Sequence, residues 1–296
     1  HDVKTFLQTA SILGQEFSID TLNLISDKRK SPELLNEGQR LRVWSRKSDS
    51  VFAFDHALYR DTAYGMVLGK ELHKLHSKAA EALIEINQNN PELVAGEIAL
   101  HLKESLQLSR AINWGWKALC YAIDNYRNND VLEWSDRLKD WIISQSSTGN
   151  RNKLLIDVLL KKDSVLHSMG NRQEQRDNIE FMTEICRKEN WTHRIADVLK
   201  AKGALAWSTG DTGSAFNLFR EGLKVAHNSS DTSIEGKLFG NLANLYSIQG
   251  NIAKAKEYYS KALDLHRKHG DNKQEGITLG NLAILLRRNG NDDEAR

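Results

Sequence analysis

His73 and His76 lie three residues apart, as do His266 and His269, a spacing at which two imidazoles on one helical turn can share a metal ion. Neither pair is accompanied by a third ligand at a metal-site spacing, so ordinary core and surface histidines are the expected reading, and no metal or other cofactor is expected. Gly65-Met66-Val67-Leu68-Gly69-Lys70-Glu71 is a near miss to a phosphate-binding loop. Its glycines are one residue too close, and Glu71 stands where a magnesium-binding Ser or Thr is needed. No Ser/His/Asp set or framed acidic pair is present, so no catalysis is expected. Cys120 and Cys186 form no CxxC pair and sit on apolar-periodic stretches, as buried thiols in a reducing, cytoplasmic compartment do. The remaining chemistry is recognition. Asn241, Asn244 and Asn281 carry amides that can both donate to and accept from an extended peptide backbone, and Lys200, Lys237, Arg287 and Arg288 favour an acidic partner.

All of these side chains but Lys200, which lies just before it, fall in a stretch, Gly203 to Arg296, that repeats itself with a step of 40 residues. Gly203-Ala204-Leu205 to Gly210-Asp211, Ala243-Asn244-Leu245 to Gly250-Asn251 and Ala283-Ile284-Leu285 to Gly290-Asn291 align without a gap. Leu199/Phe239/Leu279, Leu242/Leu282, Ala206/Tyr246/Leu286, Ala215/Ala255/Ala295, Phe219/Tyr259, Gly222/Ala262 and Leu223/Leu263 keep the same register. Apolar residues three or four apart, a Gly-Asn or Gly-Asp turn, and a second run with small residues around an aromatic predict two tightly joined helices per unit. One such hairpin cannot bury its apolar face, so the units must stack.

The run Phe239, Leu242, Ala243, Tyr246, Gly250, Ala255, Tyr259, Ala262 resembles the tetratricopeptide repeat consensus position for position. That family's usual unit is about 34 residues. Its closing proline is absent here, where Arg267 stands, so the second helix is free to run on. Gly240-Asn241-Leu242-Ala243 and Gly280-Asn281-Leu282-Ala283 are similar to the first helices of peptide-binding scaffolds with longer units. The resemblance implies a concave groove lined by first helices. By helical periodicity its residues are Lys200, Ala204 and Trp207; Lys237, Asn241, Asn244 and Ser247; Asn281, Ile284, Arg287 and Arg288. Against this stands a structural role for the asparagines, bonding one hairpin to the next, and ordinary solvation for the arginines.

Composition frames the fold. Two prolines favour long helices, 40% hydrophobic with 27% charged residues suits a globular chain, and no run approaches a membrane span. A formal charge of +2 recruits neither nucleic acid nor anionic lipid. Residues 1–68 do not repeat. Val3 to Leu13, Ile19 to Ile25 and a segment opened by Ser31-Pro32-Glu33 read as helices, and Val43–Ser45 and Val51–Phe54 as strands around the polar turn Arg46–Ser50. Three helices and a hairpin predict a winged-helix domain. Its third helix, from Glu33 to Arg40, has two glutamates against one arginine, which makes nucleic acid an unexpected partner despite the basic run Lys28-Arg29-Lys30.

Phe6-Leu7-Gln8-Thr9-Ala10-Ser11-Ile12-Leu13-Gly14-Gln15-Glu16-Phe17 and Phe52-Ala53-Phe54-Asp55-His56-Ala57-Leu58-Tyr59-Arg60-Asp61-Thr62-Ala63-Tyr64 are similar to the region after the ATPase module in signal-transduction ATPases with numerous domains, including those linked to adenylate cyclases, kinases or transcription regulators. The resemblance implies that a winged helix joins the nucleotide switch to a repeat sensor, and that His56 contacts ADP held by an intramolecular ATPase domain. Without that domain His56 is a helix-start residue.

An amphipathic helix from Glu71 to Asn87 buries Leu72, Leu75, Ala79, Leu83 and Ile86 on one stripe. Helices from Pro91 to Leu102 and from Leu106 to Tyr126 form irregular hairpins, with Trp114, Trp134 and Trp141 as packing residues or, alternatively, a ligand cage. The Ser-rich stretch Ser144–Asn152 is a break, and Leu154 to Lys188 is a degenerate first repeat in which Gln175 takes the alanine slot and is expected to loosen packing. The fold class is mainly α: a winged-helix domain over residues 1–68, irregular helical hairpins over 69–150, and an α-α superhelix of repeats over 151–296. The expected function is a non-catalytic sensor arm of a signalling ATPase that binds protein or extended peptide and crosses no membrane. A small-molecule-sensing arm and a DNA-binding regulator are the alternatives. A fragment ending inside a hairpin is expected to leave Leu282, Leu285 and Leu286 uncovered.

Overall fold

The computed structural model describes residues 2–26, 31–145 and 149–290. Lys28, Arg29 and Lys30 lie outside them, as do Asn291, Ala295 and most of the serines of the break. The chain divides into two compact units, His1–Ser146 and Ser147–Arg296.

The first unit opens with α1 (Asp2–Leu13), β1 (Glu16–Ser18), α2 (Ile19–Ile25), α3 (Ser31–Arg40), β2 (Trp44–Arg46) and β3 (Val51–Phe54). The strands form one antiparallel sheet in the order β1-β3-β2, with Phe17 opposite Phe52 and Trp44 opposite Phe54. Alternation along these short strands turns Phe17, Trp44, Phe52 and Phe54 inward onto Phe6, Ala10, Leu22 and Leu35. The rings of Phe17 and Phe54 each meet Trp44 edge-on at 5.8 Å. The Trp44 indole N–H donates to the Leu35 carbonyl at 3.0 Å, so its one polar group is satisfied. Gly38 is demanded by this packing, because a Cβ there would lie 2.1 Å from the Trp44 ring. A small three-stranded sheet against three helices is consistent with a winged-helix domain.

Six further segments complete the unit: α4 (Ala57–Gly65), α5 (Gly69–Ile86), a 3-10 turn (Pro91–Val94), α6 (Ala95–Glu104), α7 (Leu108–Asp124) and α8 (Asn128–Ser144). Leu75, Ala79 and Leu83 are buried on α5 as expected, whereas Ile86, in the last turn, is exposed. The helix expected from Pro91 onward is a 3-10 turn followed by α6.

The second unit is an array of α9 (Gly149–Met169), α10 (Arg172–Lys188), α11 (Thr192–Ser208), α12 (Thr212–Asn228), α13 (Thr232–Ile248), α14 (Ile252–His269) and α15 (Asn272–Arg288). Its turns recur every half-step. Gly170, Gly210, Gly250, Gly270 and Gly290 have positive φ, and so do Asn190 and Ser230 at the intervening turns. Asn171, Asp211, Asp231, Asn251 and Asp271 then cap the next helix, each side-chain oxygen accepting from the backbone N–H three residues on. Ala215, Ala255 and Ala262 are buried where paired helices cross, with Phe219 and Tyr259 filling the gaps beside them. Gly203 meets Phe219 so closely that a Cβ would sit 2.4 Å from the ring.

One expectation is corrected. Leu285 and Leu286 are buried, and the apolar side chains exposed on α15 are Ile277, Leu279 and Ile284. The looser packing expected at Gln175 is found, since α9 and α10 pack less extensively than α11 and α12; Gln175 itself is fully buried, its amide donating to Asp163 at 3.2 Å and its carbonyl accepting from Arg172 at 2.9 Å.

Candidate functional site

The register of α11, α13 and α15 brings the recognition residues onto corresponding turns of successive first helices. Asn281 of α15 donates to Asn244 of α13 at 3.2 Å, and the Tyr259 hydroxyl donates to the same Asn244 oxygen at 2.5 Å. Asn244 is therefore held from two sides. Asn241 is half-buried on the same helix, and among the described residues its side chain has no hydrogen-bond partner.

Lys200 lies among charges on three helices. Burial pushes its ammonium down from the usual lysine range, Asp197 and Asp163 act in the opposite direction, and Lys237 of α13 adds to the depression. Arg194, in the first turn of α11, pairs with Asp157 of α9 and with Asp197 at 3.2 Å. Burial raises the Asp197 carboxyl, with Arg194 and Lys200 opposing the rise. Lys200 and Lys237 are thus parts of one electrostatic cluster, whereas Arg287 and Arg288 lie in the last turn of α15. Those two arginines are exposed, with no ion-pair partner among the described residues. Trp207 is half-buried against the cluster built on Ala215 and Phe219, so one edge of its ring serves the core.

His56 caps α4 without using its side chain: the imidazole is exposed, makes no cap hydrogen bond, and stands edge-on to Tyr59 at 5.5 Å. It is available to a partner. Arg40 in α3 is engaged by Glu37 through two bonds of 2.9 and 2.6 Å, which occupies the helix's one arginine. Trp134 and Trp141 pack edge-on at 6.1 Å, with Trp134 seated over Gly96, while Trp114 carries Lys117 on its face at 3.8 Å. These are packing and surface contacts.

Two polar clusters escape sequence reasoning. His76 meets His101, Nδ1 to Nδ1 at 2.8 Å, and Tyr64 bonds the far nitrogen of His76 at 3.0 Å. Both imidazoles are buried and are pushed down to about 4, chiefly by desolvation. His76 therefore pairs with a residue of α6 and not with His73, whose Nδ1 contacts the Glu104 carbonyl at 2.6 Å. Among the described residues no group of three or more His, Cys, Asp or Glu could hold a metal ion. The second cluster joins Asp163 to Gln175 inside the first hairpin. Aligning both residues with the small-residue slots one step on, Gly203 and Ala215, is the signal that could have found it.

The sequence model of the tetratricopeptide repeat family matches residues 235–296. The array is a TPR-like solenoid. No curated protein matches the chain. Among solved structures, a Rap protein complexed with competence and sporulation factor superposes with a TM-score of 0.56 at 11% identity, over 81% of this chain and 67% of its own. A Signal Transduction ATPase with Numerous Domains (STAND) protein with a tetratricopeptide repeat sensor, from Pyrococcus horikoshii, gives 0.49 at 12% identity over 100% of this chain and 49% of its own. Aspartyl phosphate phosphatase F from Bacillus subtilis gives 0.45 at 12% identity over 99% and 91%. At such identities the likeness is one of fold. The chain spans about half the length of the STAND protein. Among the described residues no helix is long and apolar enough to cross a membrane.

Proposed function

We propose that the chain is a non-catalytic regulatory arm that binds a protein or extended peptide along the first helices of its repeats. The observation that carries this reading is the Asn244–Asn281 contact between successive hairpins, with Asn241 unengaged beside it. It sets amides in a row at the spacing of the stack, and each retains polar atoms that can serve a peptide backbone. Lys237, Arg287 and Arg288 give this surface a preference for acidic partners. The fold-level likeness to a Rap protein solved with a bound factor is in keeping with such a role.

In the full protein we place this arm beside an intramolecular ATPase domain in the cytoplasm. That reading rests on the resemblance of residues 6–17 and 52–64 to the region that follows such modules, and on the free imidazole of His56 at the start of α4. The test is binding to an acidic peptide library, compared with Asn241→Ala/Asn281→Ala. A drop in affinity of roughly tenfold or more is expected for two lost hydrogen bonds. Unchanged affinity, with an unchanged melting temperature, would remove the groove.

A further inference from the structure

A cavity of about 300 Å³ opens between α10 and α11, lined by Thr183, Cys186, Arg187, Ile195, Val198 and Lys202 among others. On α11 its residues, Val198 and Lys202, are about half a turn of helix away from Lys200, Ala204 and Trp207, so it lies on the opposite side from the peptide groove. The 40-residue register explains why it is there. One step on, Thr183 becomes Leu223 and Lys202 becomes Leu242; two steps on they become Leu263 and Leu282. Each later junction between hairpins therefore has two leucines where this one has a hydroxyl and an ammonium, and the space those leucines would fill is left open.

A third departure concerns charge. At the later junctions the last turn of the second helix pairs with the next first helix: His227 with Glu235 at 3.3 Å and Arg267 with Glu275 at 2.7 Å. The equivalent of that pair at the cavity is Arg187 with Ile195. Arg187 keeps its cation and loses the carboxylate that its counterparts have. Lys202 is half-buried, and neither side chain has an ion-pair or hydrogen-bond partner among the described residues. The floor is apolar, with Cys186, Val198 and Leu199 all buried. Two unpaired cations over an apolar floor form a recognisable ligand site: an anionic group held at the rim, with a compact hydrocarbon below. An adjoining cavity of about 330 Å³ shares Thr183, Arg187 and Lys202 and adds Arg176 together with Glu180 and Glu184, so the side chains it adds carry more negative than positive charge and offer no net attraction to a second anionic group.

We propose that the α10/α11 cavity binds a small organic monocarboxylate, its carboxylate between Arg187 and Lys202 and its apolar group on Val198, Leu199 and Cys186. The site is independent of the peptide groove, and its volume is at the lower end for small-molecule sites, which fits an acid of about the size of phenylacetate.

The test is calorimetric titration and thermal shift of the full chain with phenylacetate and 4-methylpentanoate, using phenylacetamide as the neutral control. Both acids are expected to bind, the amide at least tenfold more weakly. Arg187→Ala should weaken the acids about tenfold while leaving the melting temperature within about 2 °C. Thr183→Leu/Lys202→Leu, which restores the leucines of the later junctions, should raise the melting temperature and abolish binding. Asn241→Ala/Asn281→Ala should bind both acids as the parent does. Failure of either acid to bind at millimolar concentration, equal affinity for the amide, or retained binding in the double leucine variant would each overturn the assignment. A higher melting temperature in that variant with no acid bound by the parent would identify the cavity as a packing fault only.

Discussion

Gln175 donates to Asp163 at 3.2 Å inside the first hairpin of the array, and both residues stand where the second hairpin has Gly203 and Ala215. Small residues, of which Gly203 makes room for the Phe219 ring, have been exchanged for a polar bridge, and α9 and α10 pack less extensively than α11 and α12. Asp163 is buried, and desolvation raises its carboxyl to about 6, with the Gln175 bond and the charges of Lys200 and Arg172 opposing. Between the unfolded value near 4 and this folded value, the native chain holds a proton that the unfolded chain has released. Stability therefore falls as pH rises from about 4 to 6 and stays low above that. Asp163→Asn, which still accepts from Gln175, should remove this slope and stabilise the second unit at pH 7.5 by about 1–3 kcal/mol, measured by urea titration. His167, lowered by burial and Arg172, contributes the opposite slope in parent and variant alike, so their difference isolates Asp163.

The His76–His101 contact gives the first unit the reverse dependence. A bond between two Nδ1 atoms needs one donor and one acceptor, so at most one ring can carry a charge, and protonating both would set two N–H groups against each other. With folded values near 4 against about 6.5 unfolded, the unfolded chain binds more protons across that window. Stability is full above about pH 6.5 and is lost as pH falls toward 4. His76→Phe/His101→Leu should flatten the loss; circular dichroism melts at pH 4.5 and 7.5 should separate parent and variant by several degrees at the lower pH only.

The array was legible because its signals are local and repeated: the bounds of α11, α13 and α15 differ by one step of 40, as the alignment of Ala243 with Ala283 requires. What escaped was short or distant. Glu16–Ser18 offers three residues, too few for alternation to register, and becomes a strand only by pairing with Val51–Ala53. His76 and His101 are on different helices, and neither sequence neighbourhood names the other. The hairpins read as irregular have turns like those of the array, with Leu106 and Tyr126 at positive φ in place of glycine, so the Gly-Asn signature was missing although the backbone geometry is shared. On the candidate surface, periodicity placed Asn244 and Asn281 on first helices; that they bond each other while Asn241 does not depends on side-chain reach.

Those turns carry a prediction of their own. Ser230 has φ of 56° and Gly250, at the same kind of turn, has φ of 75°. A left-handed residue with a Cβ costs roughly 1–2 kcal/mol, part of which glycine returns as freedom in the unfolded chain. Ser230→Gly should therefore stabilise by about 0.5–1 kcal/mol and Gly250→Ala should destabilise by about 1 kcal/mol or more, both read as shifts of the urea midpoint at constant m-value. Equal, near-zero shifts would show that neither turn holds its helix pair.

The aromatic beside each crossing matches what faces it. Tyr259 donates to Asn244, and one step earlier Phe219 and Ala204 stand in the same two places, so the hydroxyl appears where the acceptor does. Burial raises the Tyr259 phenol to about 12, so the bond persists across the neutral and mildly alkaline range. Removing either partner leaves the other polar group short of a bond in the interior, whereas removing both reproduces the earlier hairpin. Tyr259→Phe and Asn244→Ala are each expected to cost about 1–2 kcal/mol, and the double variant about 1 kcal/mol less than their sum. Because the Tyr259 bond also fixes the amide that receives Asn281, Tyr259→Phe should weaken binding of an acidic peptide although Tyr259 is buried. Additive stabilities together with unaltered peptide affinity would mean that Asn244 is positioned by Asn281 alone.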